Sequence, residues 1–199
     1  MTTAAAPYRY LAVNPAGRRN PGWWVMVLVI ATEAMFFAFL LFSYFYVGSG
    51  AVGPWPPAGP PELRLAAPNT AILLASSAAV WWGERGIAHD AQRQLRVGLL
   101  VMLVLGATFL AIQGVEYSRK PFTPQSHAYG SLFYTITGFH GAHVFVGLLM
   151  SAVVQLRAWR GHFTAERHLA VTNVAMYWHF VDAVWIAVFL SLYVSPRLV

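Results

Sequence analysis

Five long apolar segments run through the sequence, and they limit its possible folds more than any other feature. They cover residues 22–47, 69–85, 97–117, 129–156 and 169–194. A helix of about 20 apolar residues crosses the hydrocarbon core of a bilayer. Lipid offers no partner for a free backbone N–H or C=O, and the alternating pattern of a barrel is absent. The sequence therefore predicts an all-α, polytopic membrane helix bundle with five transmembrane helices in a single domain, residues 1–199.

The composition excludes a water-soluble protein. Charged residues make up 10% of the chain and apolar residues 58%, whereas soluble domains carry about 25% charged residues. The formal net charge is +6, but the cations are scattered over the ends of the apolar segments rather than forming a basic stripe. No nucleic-acid partner is expected, and the cations are better explained by control of membrane topology.

The distribution of the cations predicts the orientation of the bundle. With the N-terminus inside, nine cations lie on the inner side and four on the outer side. The inner set is Arg9, Arg18, Arg19, Arg85, Arg93, Arg96, Arg157, Arg160 and Arg167, and the outer set is Arg64, Arg119, Lys120 and Arg197. This excess favours a cytoplasmic N-terminal segment, residues 1–21, and an external C-terminus. The first apolar segment is too long for a signal peptide and is expected to be retained.

The chain contains no cysteine, which excludes thiolate-bound zinc, iron–sulfur clusters and c-type haem attachment. Histidine and carboxylate are the ligands that remain. His140 and His143 lie three residues apart, so both can face one metal, either with His179 in a three-histidine site or as part of a b-type haem site. The competing interpretation is packing and hydrogen bonding. We expect no metal, because Asp182 is the only carboxylate near them to support such ligands.

Glu33 is the most informative ionisable residue, because it lies within the first apolar segment, where a charge is costly. One interpretation is a carboxyl that exchanges protons or reacts with carbodiimides. The other is a protonated acid that donates one hydrogen bond between helices. The sequence does not decide between them.

The remaining polar side chains in the apolar segments are interpreted as a buried polar clamp that holds helices in register. His179 and Asp182 lie three residues apart, so they share a helix face. The proposed clamp consists of His140, His143, His179, Asp182, Glu116 and Gln113. Arg157 and Arg160 follow the fourth segment on the inner side and are candidates for binding lipid phosphate. No catalytic residue is predicted.

Small residues mark the predicted helix contacts. Gly98, Gly106 and Gly114 are spaced by eight in the third segment, and Gly138, Gly141 and Gly147 lie in the fourth. Glycine lets helix backbones approach closely in a bilayer. These positions therefore predict a tightly packed bundle.

A set of motifs in fixed order resembles subunit III of the haem-copper oxidases, the cytochrome c oxidase subunit III family, from about residue 18 to 193. In chain order the main motifs are Glu33 with Met35-Phe36-Phe37, Trp55-Pro56-Pro57, Pro68-Asn69-Thr70, Gln113 with Glu116-Tyr117, Thr137-Gly138-Phe139-His140-Gly141, His162-Phe163-Thr164 and Tyr177-Trp178-His179-Phe180-Val181-Asp182. Each motif alone is weak, but their joint order is highly specific. The chain resembles the last five helices of longer family members, as in a short bacterial form.

The resemblance implies a subunit without its own catalytic centre in an aa3-type cytochrome c oxidase, which reduces O2 while translocating protons. It implies that haem and copper lie in partner subunits I and II, that this chain binds no cofactor, and that it packs against subunit I and supports its proton uptake. Glu33 matches the family's carbodiimide-reactive carboxyl. Arg157 matches an arginine near bound phospholipid. A bacterial cytoplasmic membrane is the expected location.

Several alternatives stay open from the sequence alone. The chain also fits an accessory subunit of a quinol oxidase or of a nitric oxide reductase. Two other classes are an autonomous b-type cytochrome using His143 and His179, and a proton transporter built around Glu33 and Asp182.

The sequence also departs from the family pattern: Glu84-Arg85 replaces a histidine pair, and Thr172 replaces a glutamate. The proton-relay roles that the family pattern implies at those positions are therefore not expected in this chain.

Overall fold

The computed structural model describes residues 21–198. It contains five long helices: α1 (Pro21–Ser49), α2 (Leu63–Ile87), α3 (Gln92–Arg119), α4 (Ala128–Trp159) and α5 (Leu169–Phe189). α5 continues without a break as a π-helical stretch, Leu190–Val194, and ends in a short 3-10 turn, Ser195–Arg197. All five are long and apolar enough to cross a membrane. The predicted all-α fold with five transmembrane helices is confirmed.

Most helices extend beyond the apolar segments that predicted them. α2 begins at Leu63, six residues before the predicted span, and continues through Pro68 in its second turn. An apolar segment marks the part of a helix that lies in hydrocarbon, whereas the hydrogen-bonded backbone continues into the polar interface. The predicted N-terminal segment, residues 1–21, lies outside the described residues except for Pro21.

α5 forms the centre of the bundle, and α1 lies at its edge. In the most apolar 18-residue stretch of each helix, 56% of the residues are buried for α5 with its C-terminal extension, but only 6% for α1. α5 packs against α1, α2 and α4, and α2 packs closely along α3. α1 therefore presents most of its apolar surface outward, as expected of a helix facing lipid or another subunit.

The closest helix contacts involve only some of the predicted glycines. A Cβ at Gly98 would lie 2.6 Å from the carbonyl oxygen of Ala79 and 2.8 Å from the Cα of Gly83 on α2. A Cβ at Gly106 or Gly147 would lie 2.7 or 2.8 Å from the indole of Trp178. At Gly114 nothing lies within 4 Å, and at Gly138 and Gly141 the nearest atoms are 4.0 and 3.8 Å away. Among these six glycines, close contacts are therefore limited to the α2–α3 interface and the Trp178 site.

The arginine and lysine residues separate to the two ends of the bundle. Arg85, Arg93, Arg96, Arg157, Arg160 and Arg167 lie at the end where α2 and α4 finish. The opposite end carries Arg64, Arg119, Lys120 and Arg197. Arg9, Arg18 and Arg19 lie outside the described residues. We refer to the first end as the inner end and the second as the outer end.

Short contacts between loops hold the inner end together. The Asp90 carboxylate accepts a 2.6 Å hydrogen bond from the Ala165 N–H, and the Gln92 amide donates to the Phe163 carbonyl at 2.6 Å. Asp90 has a φ of 59°, a left-handed conformation that aspartate adopts more readily than most residues. These bonds connect the α2–α3 turn to the α4–α5 loop, so the ends of four helices are held together.

Candidate functional site

The structure brings Glu33 of α1 together with His143 of α4. Glu33 Oε2 lies 3.1 Å from His143 Nε2. Both residues lie near the middle of their helices, so the pair is formed at mid-membrane depth. Their separation of 110 positions in the chain explains why sequence spacing did not reveal this contact.

The tautomer of His143 follows from its second hydrogen bond. His143 Nδ1 lies 2.7 Å from the carbonyl oxygen of Phe139. A carbonyl only accepts, so Nδ1 carries a hydrogen and donates it. In the neutral ring Nε2 then has a free lone pair, which accepts a hydrogen bond from the Glu33 acid. In the ion pair the same proton lies on Nε2. In either form, a hydrogen bond between Oε2 and Nε2 joins α1 to α4.

The pair opens onto a groove of about 310 Å³ between α1, α4 and α5. The groove is lined by Met26, Val29, Glu33, Ala142, His143, Val146, Met150 and Tyr177. The Glu33 side chain is 36% exposed and that of His143 is 15% exposed. The Tyr177 hydroxyl donates to the carbonyl of His143 at 3.3 Å. The carboxyl is thus reachable from the membrane side through an apolar groove, an environment suited to a lipid tail or an apolar reagent.

The two i, i+3 pairs predicted from the sequence are separated by the packing. His140 points into the core, where its ring centroid lies 4.8 Å from that of Trp185 and 5.8 Å from that of Phe109. His143 points towards Glu33 instead. His179 Nδ1 lies 3.0 Å from the Ser77 hydroxyl of α2 rather than pairing with Asp182. Within residues 21–198, neither His140 nitrogen has a hydrogen-bond partner, and Asp182 is buried close to Ser77 without a hydrogen bond of normal geometry.

Among the described residues, no group of three or more histidine, aspartate or glutamate side chains is arranged to hold a metal ion. His140 and His143 diverge, and His143 already uses both ring nitrogens. The three-histidine arrangement considered from the sequence is therefore not formed by the packing of α4 and α5.

Glu116 forms a second polar contact at the outer end of α3. Its Oε1 accepts a 2.8 Å hydrogen bond from the Tyr193 hydroxyl and lies 2.8 Å from Lys120 Nζ. The Glu116 side chain is 6% exposed and the Lys120 side chain is 9% exposed. Lys120 lies four residues after Glu116, a spacing that signals such a pair in a helix, whereas the sequence interpretation placed Glu116 in the polar clamp without this partner. Gln113, one turn earlier, is buried without a hydrogen-bond partner among the described residues.

Two tryptophans of α5 add contacts that the sequence interpretation did not include. Trp178 donates to the Ser76 hydroxyl and Trp185 to the Thr70 hydroxyl, each at 2.9 Å. Both hydroxyls belong to α2, so the indoles connect α5 to α2 while filling the core.

Arg157 and Arg160 are exposed at the inner end of α4, and the Arg157 guanidinium lies 5.2 Å from the Phe163 ring centroid.

The family model described as cytochrome c oxidase subunit III matches residues 19–196. The chain belongs to the cytochrome c oxidase subunit III family. That membership makes it a multi-pass membrane subunit of a haem-copper oxidase complex, which it forms with other oxidase subunits.

Curated relatives agree with this assignment. The cytochrome c oxidase subunit 3 proteins of Oncorhynchus mykiss and Formosania lacustris are 39% and 38% identical over 177 residues. That of Myxine glutinosa is 39% identical over 178 residues. Each alignment covers 84% of this subunit III chain and 67% of the relative. The family resemblance inferred from the ordered motifs is confirmed.

Proposed function

We propose that this chain serves as subunit III of an aa3-type cytochrome c oxidase and supports O2 reduction and proton translocation by stabilising subunit I and its proton uptake. The observation that carries the proposal is the Glu33–His143 pair. It joins the peripheral helix α1 to α4 by a polar contact beside an apolar groove, near the middle of both helices. Subunits I and II are the proposed partners.

We further propose that the chain binds no haem or copper, which belong to the partner subunits. The support is that both ring nitrogens of His143 and Nδ1 of His179 are already used in hydrogen bonds, and that the His140 ring is enclosed by aromatic side chains. His143 bonds to Glu33 and Phe139, and His179 bonds to Ser77. His140 lies between Trp185 and Phe109. A haem ligand would have to give up one of these contacts.

The orientation is proposed with the inner end in the cytoplasm of a bacterial cell and the outer end outside the cytoplasmic membrane. Six of the described cations lie at the inner end and four at the outer end, in the sense of the positive-inside rule. The exposed Arg157 and Arg160 then face the inner headgroup layer, where they bind phospholipid phosphate.

The cofactor proposal predicts that the purified single chain has no haem absorption. Its visible spectrum should lack a Soret band after expression with haem supplied, because the histidines are used in contacts within the protein. A stoichiometric Soret band that disappears in His143→Ala or His179→Ala would contradict the proposal.

The role of Glu33 is tested in the assembled oxidase. Glu33→Gln keeps a side chain of similar size that can donate to His143 but does not release a proton. We expect assembly to be retained, with at most about 1 kcal/mol of stability lost from one hydrogen bond. Turnover is expected to fall relative to the unaltered enzyme at alkaline pH, where proton supply limits the rate. The measurement is O2 consumption against pH.

The matched control for this test is Gln155→Leu, which alters a polar residue of α4 near the inner end. Gln155 donates to the Arg96 carbonyl and lies about three helical turns beyond His143 on α4, outside the groove lining. Its turnover profile should follow that of the unaltered oxidase. If Glu33→Gln shows the same turnover at every pH, the proton role is excluded and only the structural role of the pair remains.

A further inference from the structure

The arrangement of the helices leaves one side of α5 uncovered. α4 packs against both α1 and α3, and α3 packs against α2, so these four helices form an arc around α5. α1 and α2 lie at the two ends of this arc, and each packs against α5, but among the described residues they do not pack closely against each other. The side of α5 that faces the gap between α1 and α2 is therefore open to the membrane.

A stripe of α5 residues lies in this gap. Beside the stripe, Asn173 donates to the Gly22 carbonyl of α1, and within it His179 contacts Ser77 of α2. The stripe repeats at intervals of four and three residues, the spacing by which one helix packs along another. None of its members is buried, although α5 is the most buried helix of the bundle. We call this stripe the α5 seam; it consists of Thr172, Met176, His179, Ala183, Ile186 and Leu190.

His179, in the middle of the α5 seam, has a ring nitrogen that the bundle does not use. Its Nδ1 lies 3.0 Å from the Ser77 hydroxyl, whereas its Nε2 is not enclosed by the bundle and has no hydrogen-bond partner among the described residues. His179 lies about 15 Å along α5 from Leu169, so this nitrogen lies at mid-membrane depth. Hydrocarbon offers no hydrogen bond, and a polar group left unpaired there costs free energy. Lipid tails therefore cover this face poorly.

An unpaired carboxylate lies on the same face, closer to the inner end. Glu84 follows Ser77 by seven residues, which places both on one side of α2, and it is near enough to His179 to interact with it electrostatically. The Glu84 side chain is partly buried and forms no salt bridge within residues 21–198. The face is therefore complementary to an element with a hydrogen-bonding group at mid-membrane depth and a cation towards the inner end.

We propose that the α5 seam binds a membrane-spanning helix of another oxidase subunit. The small side chain of Ala183 lets the partner backbone approach, and Ile186 packs against its apolar surface. A polar side chain of the partner bonds Nε2 of His179, and a cation near its inner end pairs with Glu84. The proposal rests on membership of the oxidase complex. It does not depend on the role proposed for Glu33, whose groove lies between α1 and α4.

The first test uses the assembled oxidase with a photoreactive benzophenone amino acid in place of Ile186. After illumination, the crosslinked product is digested and identified by mass spectrometry. We expect a covalent product that joins this chain to a membrane-spanning segment of another oxidase subunit. The matched control carries the same amino acid in place of Val104, which is exposed on α3, and it should react with lipid or detergent.

Products from position 186 that contain only lipid, detergent or a second copy of this chain would overturn the proposal. Crosslinking is measured on oxidase that has retained this chain. Such a result therefore counts against the α5 seam and leaves membership of the complex and the role of Glu33 unaffected.

A second test blocks the α5 seam without altering the core of the chain. Ala183 is exposed, so Ala183→Trp places a bulky side chain in the gap and should leave the unfolding midpoint of the single chain unchanged. We expect recovery of the other oxidase subunits with this chain to fall about tenfold. Ala107→Trp makes the same change at an exposed position of α3 and should leave that recovery unaltered. Full recovery of the other subunits with Ala183→Trp would exclude the seam as their binding surface.

Discussion

Replacing Gly98 with alanine is expected to destabilise the bundle by about 2 kcal/mol, the upper end of an overpacking cost less the helix-propensity gain. The new methyl group would lie 2.6 Å from the Ala79 carbonyl oxygen and 2.8 Å from the Gly83 Cα. Both are backbone atoms of α2, so no side chain can rotate away, and α2 and α3 must separate. Overpacking of this kind costs about 1–3 kcal/mol and occasionally more, which exceeds the gain of about 1 kcal/mol from replacing glycine within a helix.

Gly114→Ala provides the control on the same helix. Nothing lies within 4 Å of the Cβ position at Gly114, so the helix-propensity gain is unopposed and the change should be neutral or slightly stabilising. The measurement is equilibrium unfolding of the full chain in mixed micelles with increasing denaturing detergent. Equal stabilities of the two variants would show that the α2–α3 contact is less close than described.

Replacing Glu116 with glutamine is expected to destabilise the chain by about 3 kcal/mol, since removing one partner of a buried ion pair costs about 3–5 kcal/mol. Lys120 would remain with a side chain only 9% exposed, surrounded by the rings of Phe133 and Tyr193 at 4.8 and 5.5 Å. The glutamine oxygen still accepts from Tyr193. The loss therefore reports the uncompensated lysine charge.

The double variant Glu116→Gln/Lys120→Met is expected to recover most of that stability, because it removes both charges and retains the tyrosine hydrogen bond. Glu62→Gln, an exposed carboxylate nearby, should change stability by less than about 0.5 kcal/mol. Unfolding of the unaltered chain, the single variants Glu116→Gln and Lys120→Met, and the double variant forms a cycle whose coupling energy measures the pair. A double variant that is less stable than Glu116→Gln would show that Lys120 contributes by packing rather than by charge.

The membrane class and the five helices were predictable because each depends on a single stretch of chain. The length and apolarity of residues 97–117 require a spanning helix whatever surrounds them. Helix ends were less predictable: α2 starts at Leu63 and includes Glu62 at its cap and Arg64, since helices continue beyond hydrocarbon into the interface. The family motifs were readable for the same reason, because they are local patterns in fixed order.

The contacts of the polar residues depended on how the helices rotate against one another. Spacing paired His140 with His143 and His179 with Asp182, but packing directs His143 to Glu33 and His179 to Ser77. Similarly, Gly98 and Gly114 look equivalent in the sequence, and only the first meets another helix.

The sequence alone determined that the chain is a bundle of five membrane helices containing a few polar residues, because burying an uncompensated charge or backbone group in lipid costs free energy in any arrangement. Only the tertiary structure decided which of those residues meet. The partner of a side chain on one helix is set by the rotation and depth of another, and these follow from the packing of the whole bundle.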